Sequence, residues 1–202
     1  MSNLNLSTRM ILVLTLITVL SGAILAGWDS VTKPKIAFHR MEALKAAIGE
    51  VLPAHDSYEK VETEFGPLYV ASKSESDTPI GVAFMAVGSG FQGELRIMVG
   101  LTPDMTKLTG IKVLEQIETP GLGTKIVVDP SNKQDPYWFP AQFNGIVVAP
   151  EIVVLKNAKP TRNNEVQGIT GATISSKAVA IILNEQIAEF QTAWAAKGGP
   201  ES

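Results

Sequence analysis

Gly168-Ile169-Thr170-Gly171-Ala172-Thr173-Ile174-Ser175-Ser176 is a loop of small and hydroxyl residues that runs directly into a helical pattern. Val179, Leu183, Ile187, Phe190 and Trp194 then recur every three or four residues, an apolar stripe on one helix face. The glycines permit tight turning and close approach of a ligand. Thr173, Ser175 and Ser176 fall where the helix begins. The first backbone N–H groups there lack intrahelical acceptors, and the helix dipole favours negative charge. Two readings are open at this point. One is ordinary N-capping by Ser and Thr. The other is a phosphate site with hydroxyls beside it. The P-loop pattern is absent, because Lys177 follows Ser176 instead of preceding a hydroxyl residue.

A second stretch, Glu118-Thr119-Pro120-Gly121-Leu122-Gly123, follows a run of strands. A Pro-Gly type II turn accounts for Pro120 and Gly121 but does not require Glu118, Leu122 or Gly123. Before it, Ile80–Val87, Glu94–Leu101 and Gly110–Glu118 are apolar runs separated by turn signals. Leu95, Ile97 and Val99 alternate with Glu94, Arg96 and Met98, the period of a strand with one buried face. Short turns between successive strands predict an antiparallel sheet. Val61–Ser72 reads as one or two further strands interrupted at Gly66-Pro67, and Ser72–Thr78 as a polar loop. Ile146–Leu155 reads as a strand region broken at Ala149-Pro150, Lys159–Glu165 as loop, and the aromatic cluster from Tyr137 to Phe143 as local core.

The two strings together resemble the FMN-binding domain family. Thr170-Gly171-Ala172-Thr173 is similar to its (Ser/Thr)-Gly-Ala-Thr flavinylation motif, and the Glu118–Gly123 string to its Glu-Thr-Pro-Gly-Leu-Gly motif. The order is the family's, and the resemblance extends through Gly90-Phe91-Gln92-Gly93-Glu94-Leu95, covering roughly residues 80 to 183. The resemblance implies FMN joined through its phosphate to the hydroxyl of Thr173. It places Thr170, Gly171, Ala172, Ile174, Ser175 and Ser176 around the phosphate, and Glu118, Thr119, Gly121, Leu122 and Gly123 near the flavin. Leu122 is expected over a ring face, and Glu118 either toward the ribityl hydroxyls or positioning the loop. Where the family motif often carries Asp, this chain has Gln167. The family includes subunits of the Rnf electron-transport complex and of the sodium-translocating NADH:quinone reductase, and chain length favours the Rnf type. The resemblance therefore implies an electron carrier, partnered by other membrane subunits and loaded by a flavin transferase. An extracytoplasmic flavin reductase and a non-redox membrane-anchored assembly domain are the alternatives. Activity as an enzyme on its own is not implied.

Composition bounds the rest. The 202 residues carry a net charge of −3, no Cys and two His. That argues against nucleic acid as a partner and excludes disulfides, iron–sulfur clusters and thiolate metal sites. No catalytic triad, carboxylate dyad or metal-ligand spacing appears. Residues 10 to 27 hold no charge and span about 27 Å as helix, enough for a bilayer core, with Trp28 at the end. Apolar length favours an uncleaved anchor over a signal peptide. Flanking charges do not set its orientation; family resemblance implies a bacterial inner-membrane protein with its large domain on the periplasmic side. Phe38, Met41, Leu44, Ile48 and Val51 form a further helical run between Pro34 and Pro53. The expected organisation is an α+β chain: tail 1–9, transmembrane anchor 10–28, helical stem 29–60, FMN-binding domain 61–196 with an antiparallel sheet and packed helices, and tail 197–202.

Overall fold

Between Arg9 and Asp29 no charged residue interrupts the apolar run, and the whole of it is helix. In the computed structural model, which describes residues 5–73 and 76–199, helix α1 runs from Leu6 to Val51 without a break at Trp28. The expected anchor, residues 10 to 28, and the expected stem as far as Val51 lie in one 46-residue helix, and the first strand begins at Ser57, inside the stretch expected as stem. Pro34, expected at a first turn, lies inside the helix. It removes one donor, and the turns on both sides outweigh that loss. The helix is long and apolar enough to cross a membrane, and its large apolar side chains from Leu6 to Leu25 are all more than half exposed. By contact density the chain divides into Met1–Ala43 and Leu44–Ser202.

In the second unit the period-two runs form an antiparallel sheet in sequential order: β1 (Ser57–Thr63), β2 (Gly66–Lys73), β3 (Ser76–Ser89), β4 (Glu94–Leu101) and β5 (Leu108–Glu115). Ser72–Thr78, expected as a loop, is strand at both ends, because Ser72 pairs with Pro79 and Lys73 with Ser76. Ser74 and Glu75 lie outside the described residues.

The sheet is covered on both faces, which corrects the expectation of a single buried face. Phe84, Leu95, Ile97 and Val99 point into the main core. On the reverse face Tyr69, Ala71, Ala83 and Met98 pack with Ala47, Ile48, Val51 and Leu52. Met98, expected on the polar face, is fully buried under this helix end. Of the aromatic stretch expected as local core, α2 (Trp138–Ala141) buries Phe139, which meets the buried Phe143 edge-on at 5.5 Å, while Tyr137 is exposed. Two short strands, β6 (Val153–Leu155) and β7 (Glu165–Gln167), pair in parallel. The expected strand from Ile146 shrinks to β6, and β7 begins at Glu165, the last residue of the expected loop. Three-residue strands are too short to show a period.

Helix α3 (Thr173–Ala196) lies over the main core. Its Phe190 stacks on Phe84 of β3 with centroids 4.0 Å apart. Side-chain amides lock its position. Gln186 Oε1 accepts from Val87 N at 3.2 Å, and Asn184 exchanges bonds of 2.8 and 3.0 Å with the backbone of Ile152. Trp194 Nε1 donates to Pro103 O at 2.9 Å. These contacts fix where the first turn of α3 arrives.

Removing the stacked ring by Phe190→Ala leaves a cavity between sheet and helix. We expect a loss of about 3–5 kcal/mol in equilibrium denaturation of the detergent-solubilised chain. A second outcome concerns the loop after the Glu118–Gly123 turn. The Ser131 hydroxyl and amide, Lys125 Nζ at 3.2 Å and Trp138 Nε1 at 3.3 Å hold the Asp129 carboxyl down to about 2, the Ser131 hydroxyl contributing most. Because the folded value is depressed, its contribution is complete above the unfolded value near 4 and disappears as pH falls through about 2. Asp129→Asn should therefore be less stable than the parent at neutral pH and converge with it near pH 2, read from acid titrations followed by Trp fluorescence.

Candidate functional site

The turn after β5 is built from its own sequence. Leu122 N donates to Thr119 O at 3.1 Å, closing a turn in which Gly121 takes a φ of 75°. A short 3₁₀ segment, Gly123–Ile126, follows. Gly123 is buried against two neighbours: a Cβ there would sit 2.7 Å from Glu118 Oε2 and 2.9 Å from Ser175 Oγ. Only glycine lets the turn, the acid and the start of α3 come so close.

Glu118 sits at that junction, 4% exposed. Its Oε1 accepts from Phe91 N at 2.7 Å and Gln92 N at 3.0 Å, both in the β3–β4 loop. Its Oε2 accepts from Ser175 Oγ at 2.5 Å. One carboxylate thus ties three segments far apart in sequence, and its oxygens are taken up by the protein. Charged acceptors make strong hydrogen bonds, which offsets the burial.

Helix α3 begins at Thr173 without a side-chain cap, since Ala172 occupies the cap position. Ala172 N donates to Ile169 O and Ser176 N to Ala172 O, both at 3.0 Å. The amides of Thr173, Ile174 and Ser175 make no hydrogen bond among the described residues. Orphan donors at a helix start, under the dipole's positive end, suit an anion. The two motifs meet here. Phe91, Thr119, Leu122, Gly123, Lys156 and residues 171 to 175 line one open cavity of about 380 Å³. Thr173 is half-buried at its wall. Phe91, Leu122 and Ile174, at 56%, 46% and 60% exposure, form an apolar rim. Lys156 is the single charged residue of the lining. The donor set fits FMN: free amides, a hydroxyl and an ammonium for a phosphate, and apolar side chains for a planar ring.

Thr119, Leu122, Gly123, Gly171, Ala172, Thr173, Ile174 and Ser175 line this cavity together, although the Ser175 hydroxyl, expected at the phosphate, is donated to Glu118. Thr170, Gly121, Glu118 and Ser176 do not line the cavity. Ser176 is fully buried; its Oγ accepts from Ile169 N and donates to Ala172 O, so it braces the loop instead of facing a phosphate. Gln167 lies in β7, its backbone held by the side-chain amide of Gln142 at 2.7 and 3.1 Å. Phe91 and Lys156 complete the lining. Phe91 lies inside the Gly90–Leu95 string, which carries no local sign of its role, and nothing in the sequence around Lys156 marks it. Two larger cavities, of about 480 and 520 Å³, run along β5 and contain no residue of either motif. Neither adjoins the first turn of α3. Among the described residues no acidic, Cys or His cluster suits a metal.

Glu118→Ala strands three donors in a buried junction and should cost about 2–4 kcal/mol, whereas Glu118→Gln, which keeps an acceptor for the two amides, should cost less than half of that in the same denaturation assay.

The FMN-binding domain family matches residues 90–188. The chain is 35% identical over 161 residues to the G subunit of the Na(+)-translocating ferredoxin:NAD(+) oxidoreductase complex of Acetobacterium woodii, covering 75% of this chain and 72% of that protein. It is 28% identical over 187 residues to the G subunit of the ion-translocating oxidoreductase complex of Methanosarcina acetivorans, covering 89% and 92%. A crystal structure of NqrC from Shewanella oneidensis aligns with a TM-score of 0.48 at 17% identity, over 69% of this chain and 73% of that one. The chain belongs to the family of G subunits of ion-translocating oxidoreductase complexes and carries an FMN-binding domain.

Proposed function

We propose that this chain is the membrane-anchored electron-carrier subunit of an Rnf-type ion-translocating complex, with FMN tethered by a phosphoester to Thr173 Oγ. The observation that carries this reading is the convergence of both motifs on one cavity, where the Thr173 hydroxyl stands beside three unbonded amides. Esterification leaves the phosphate as a diester with one negative charge. The amides of Thr173, Ile174 and Ser175 bind its oxygens and Lys156 balances its charge. Ser175 is held by Glu118, and this fixes the turn that presents Thr173. When bound, the flavin supplies reversible electron uptake and release; the protein positions it and tunes its potential. Thr173 is the attachment atom and takes no part in turnover.

Helix α1 serves as a single membrane anchor, and the domain from Leu44 onward faces the periplasm, where a tether prevents loss of a cofactor that is not replenished there. The donor and acceptor are neighbouring membrane subunits, and a flavin transferase loads the site from a flavin dinucleotide: its pyrophosphate bond breaks, the Thr173 oxygen takes up the FMN phosphoryl group, the nucleoside monophosphate leaves and the hydroxyl proton passes to solvent. The absence of any acid–base pair from the cavity lining favours a carrier over a reductase with its own organic substrate.

The test is in-gel flavin fluorescence of the full chain after co-expression with a flavin transferase and denaturing electrophoresis. A fluorescent band is expected, lost in Thr173→Ala and retained in Thr173→Ser, with the added mass found on the Thr173 peptide. A dark parent band overturns the covalent reading.

A further inference from the structure

Phe91 is a large aromatic side chain held 56% exposed at the tip of the β3–β4 loop. Its loop is pinned. Gly90 N donates to Gly93 O at 2.7 Å, and the amides of Phe91 and Gln92 donate to Glu118 at 2.7 and 3.0 Å. Gln92 Nε2 donates to Thr119 Oγ1 at 2.9 Å, tying the loop to the turn opposite. Phe65, the other exposed phenyl of this unit, leans on Phe190 at 6.2 Å. Phe91 has no aromatic neighbour among the described residues and lines the Thr173 cavity instead. Water disfavours an exposed phenyl ring, and a floppy loop would let it fold back onto the sheet. Here four hydrogen bonds hold it out over a cavity whose remaining rim, Leu122 and Ile174, is apolar as well.

We propose that Phe91 covers one face of the isoalloxazine ring of the FMN carried at Thr173, and that Glu118 is the positioning residue that sets it there. The proposal rests on the flavin reading of this cavity. A planar π-system is the occupant that an outward-held phenyl ring and two aliphatic side chains suit. Glu118 acts through the loop: one oxygen sets Phe91 and the other sets the helix turn that presents Thr173. The same carboxylate therefore fixes the spacing between tether and cover.

The experiment uses the full chain loaded by its transferase, with loading measured separately on denaturing gels. Phe91→Trp brings an electron-rich indole, an efficient quencher of flavin emission, to the cover position. Emission of the folded protein per loaded flavin should fall by about fivefold or more, whereas Tyr137→Trp, at an exposed site lining a different cavity, should leave it unchanged. Adding Glu118→Asp, which keeps the charge but retracts it by one methylene from both amides, should restore at least about half of the lost emission. Glu118→Gln should leave it quenched. Unchanged emission in loaded Phe91→Trp overturns the covering role while the Thr173 tether stands. The same result joined to loss of co-purifying membrane subunits in Phe91→Ala assigns Phe91 to a partner interface and equally overturns it. Quenching that persists in the Glu118→Asp double variant overturns the positioning role. A parent chain without flavin overturns both this proposal and the reading beneath it.

Discussion

A buried carboxylate whose two oxygens both accept hydrogen bonds holds the site together. Among the described residues Glu118 makes no ion pair; one of its oxygens accepts from two backbone amides and the other from a hydroxyl. Such an arrangement tolerates little displacement, because each donor would lose a charged acceptor inside the protein. The glycines around it follow from the same constraint. A Cβ at Gly90 would lie 2.4 Å from Glu118 Oε1, and one at Gly123 would lie 2.7 Å from Oε2. The two motifs are thus two walls of a junction whose third wall is the β3–β4 loop.

The sheet and α3 supply what the junction cannot supply for itself. The amide side chains of Asn184 and Gln186 bond to backbone on the 150s loop and on β3, so the helix is fixed in rotation as well as in height. Phe190 against Phe84 anchors it near its far end. The first turn of α3 then meets the turn after β5 with three amides still unbonded. Stability is concentrated in the body of the helix, and the binding capacity in its first turn.

Much of this was legible in the sequence. The strands showed their period because each has a face turned to the core, and α3 because its stripe from Val179 to Trp194 is long. The two motifs were visible as strings, and the cavity joins them. What escaped the sequence has physical causes. Met98 read as polar-face because alternation reports only one covered side, while the end of α1 covers the other. β7 and the remnant of the Ile146–Leu155 strand are too short for any period. Ser176 looked like a ligand hydroxyl, but a hydroxyl's direction is decided by its rotamer and neighbours, and here both its bonds turn inward. Phe91 and Lys156 enter the site from remote loops, and no local pattern announces that.

Under the proposed flavin reading, the groups at the cavity wall suit a carrier better than a reductase. A reductase acting on an organic substrate must move protons as well as electrons, and needs an acid or base within reach of the reacting atoms. Among the described residues no carboxyl, imidazole or phenol lines this cavity, and the Glu118 carboxylate is occupied by donors from the β3–β4 loop and α3. The one ionisable group in the lining is the ammonium of Lys156, which is suited to balancing a phosphate. What remains is an open rim of apolar side chains on a rigid base. Electron exchange with a neighbouring redox group asks for a ring close to the surface and for small reorganisation on oxidation and reduction. Under the proposed reading, a cover and a tether both set through one buried carboxylate would meet the second requirement, and the exposed rim formed by Phe91, Leu122 and Ile174 would meet the first.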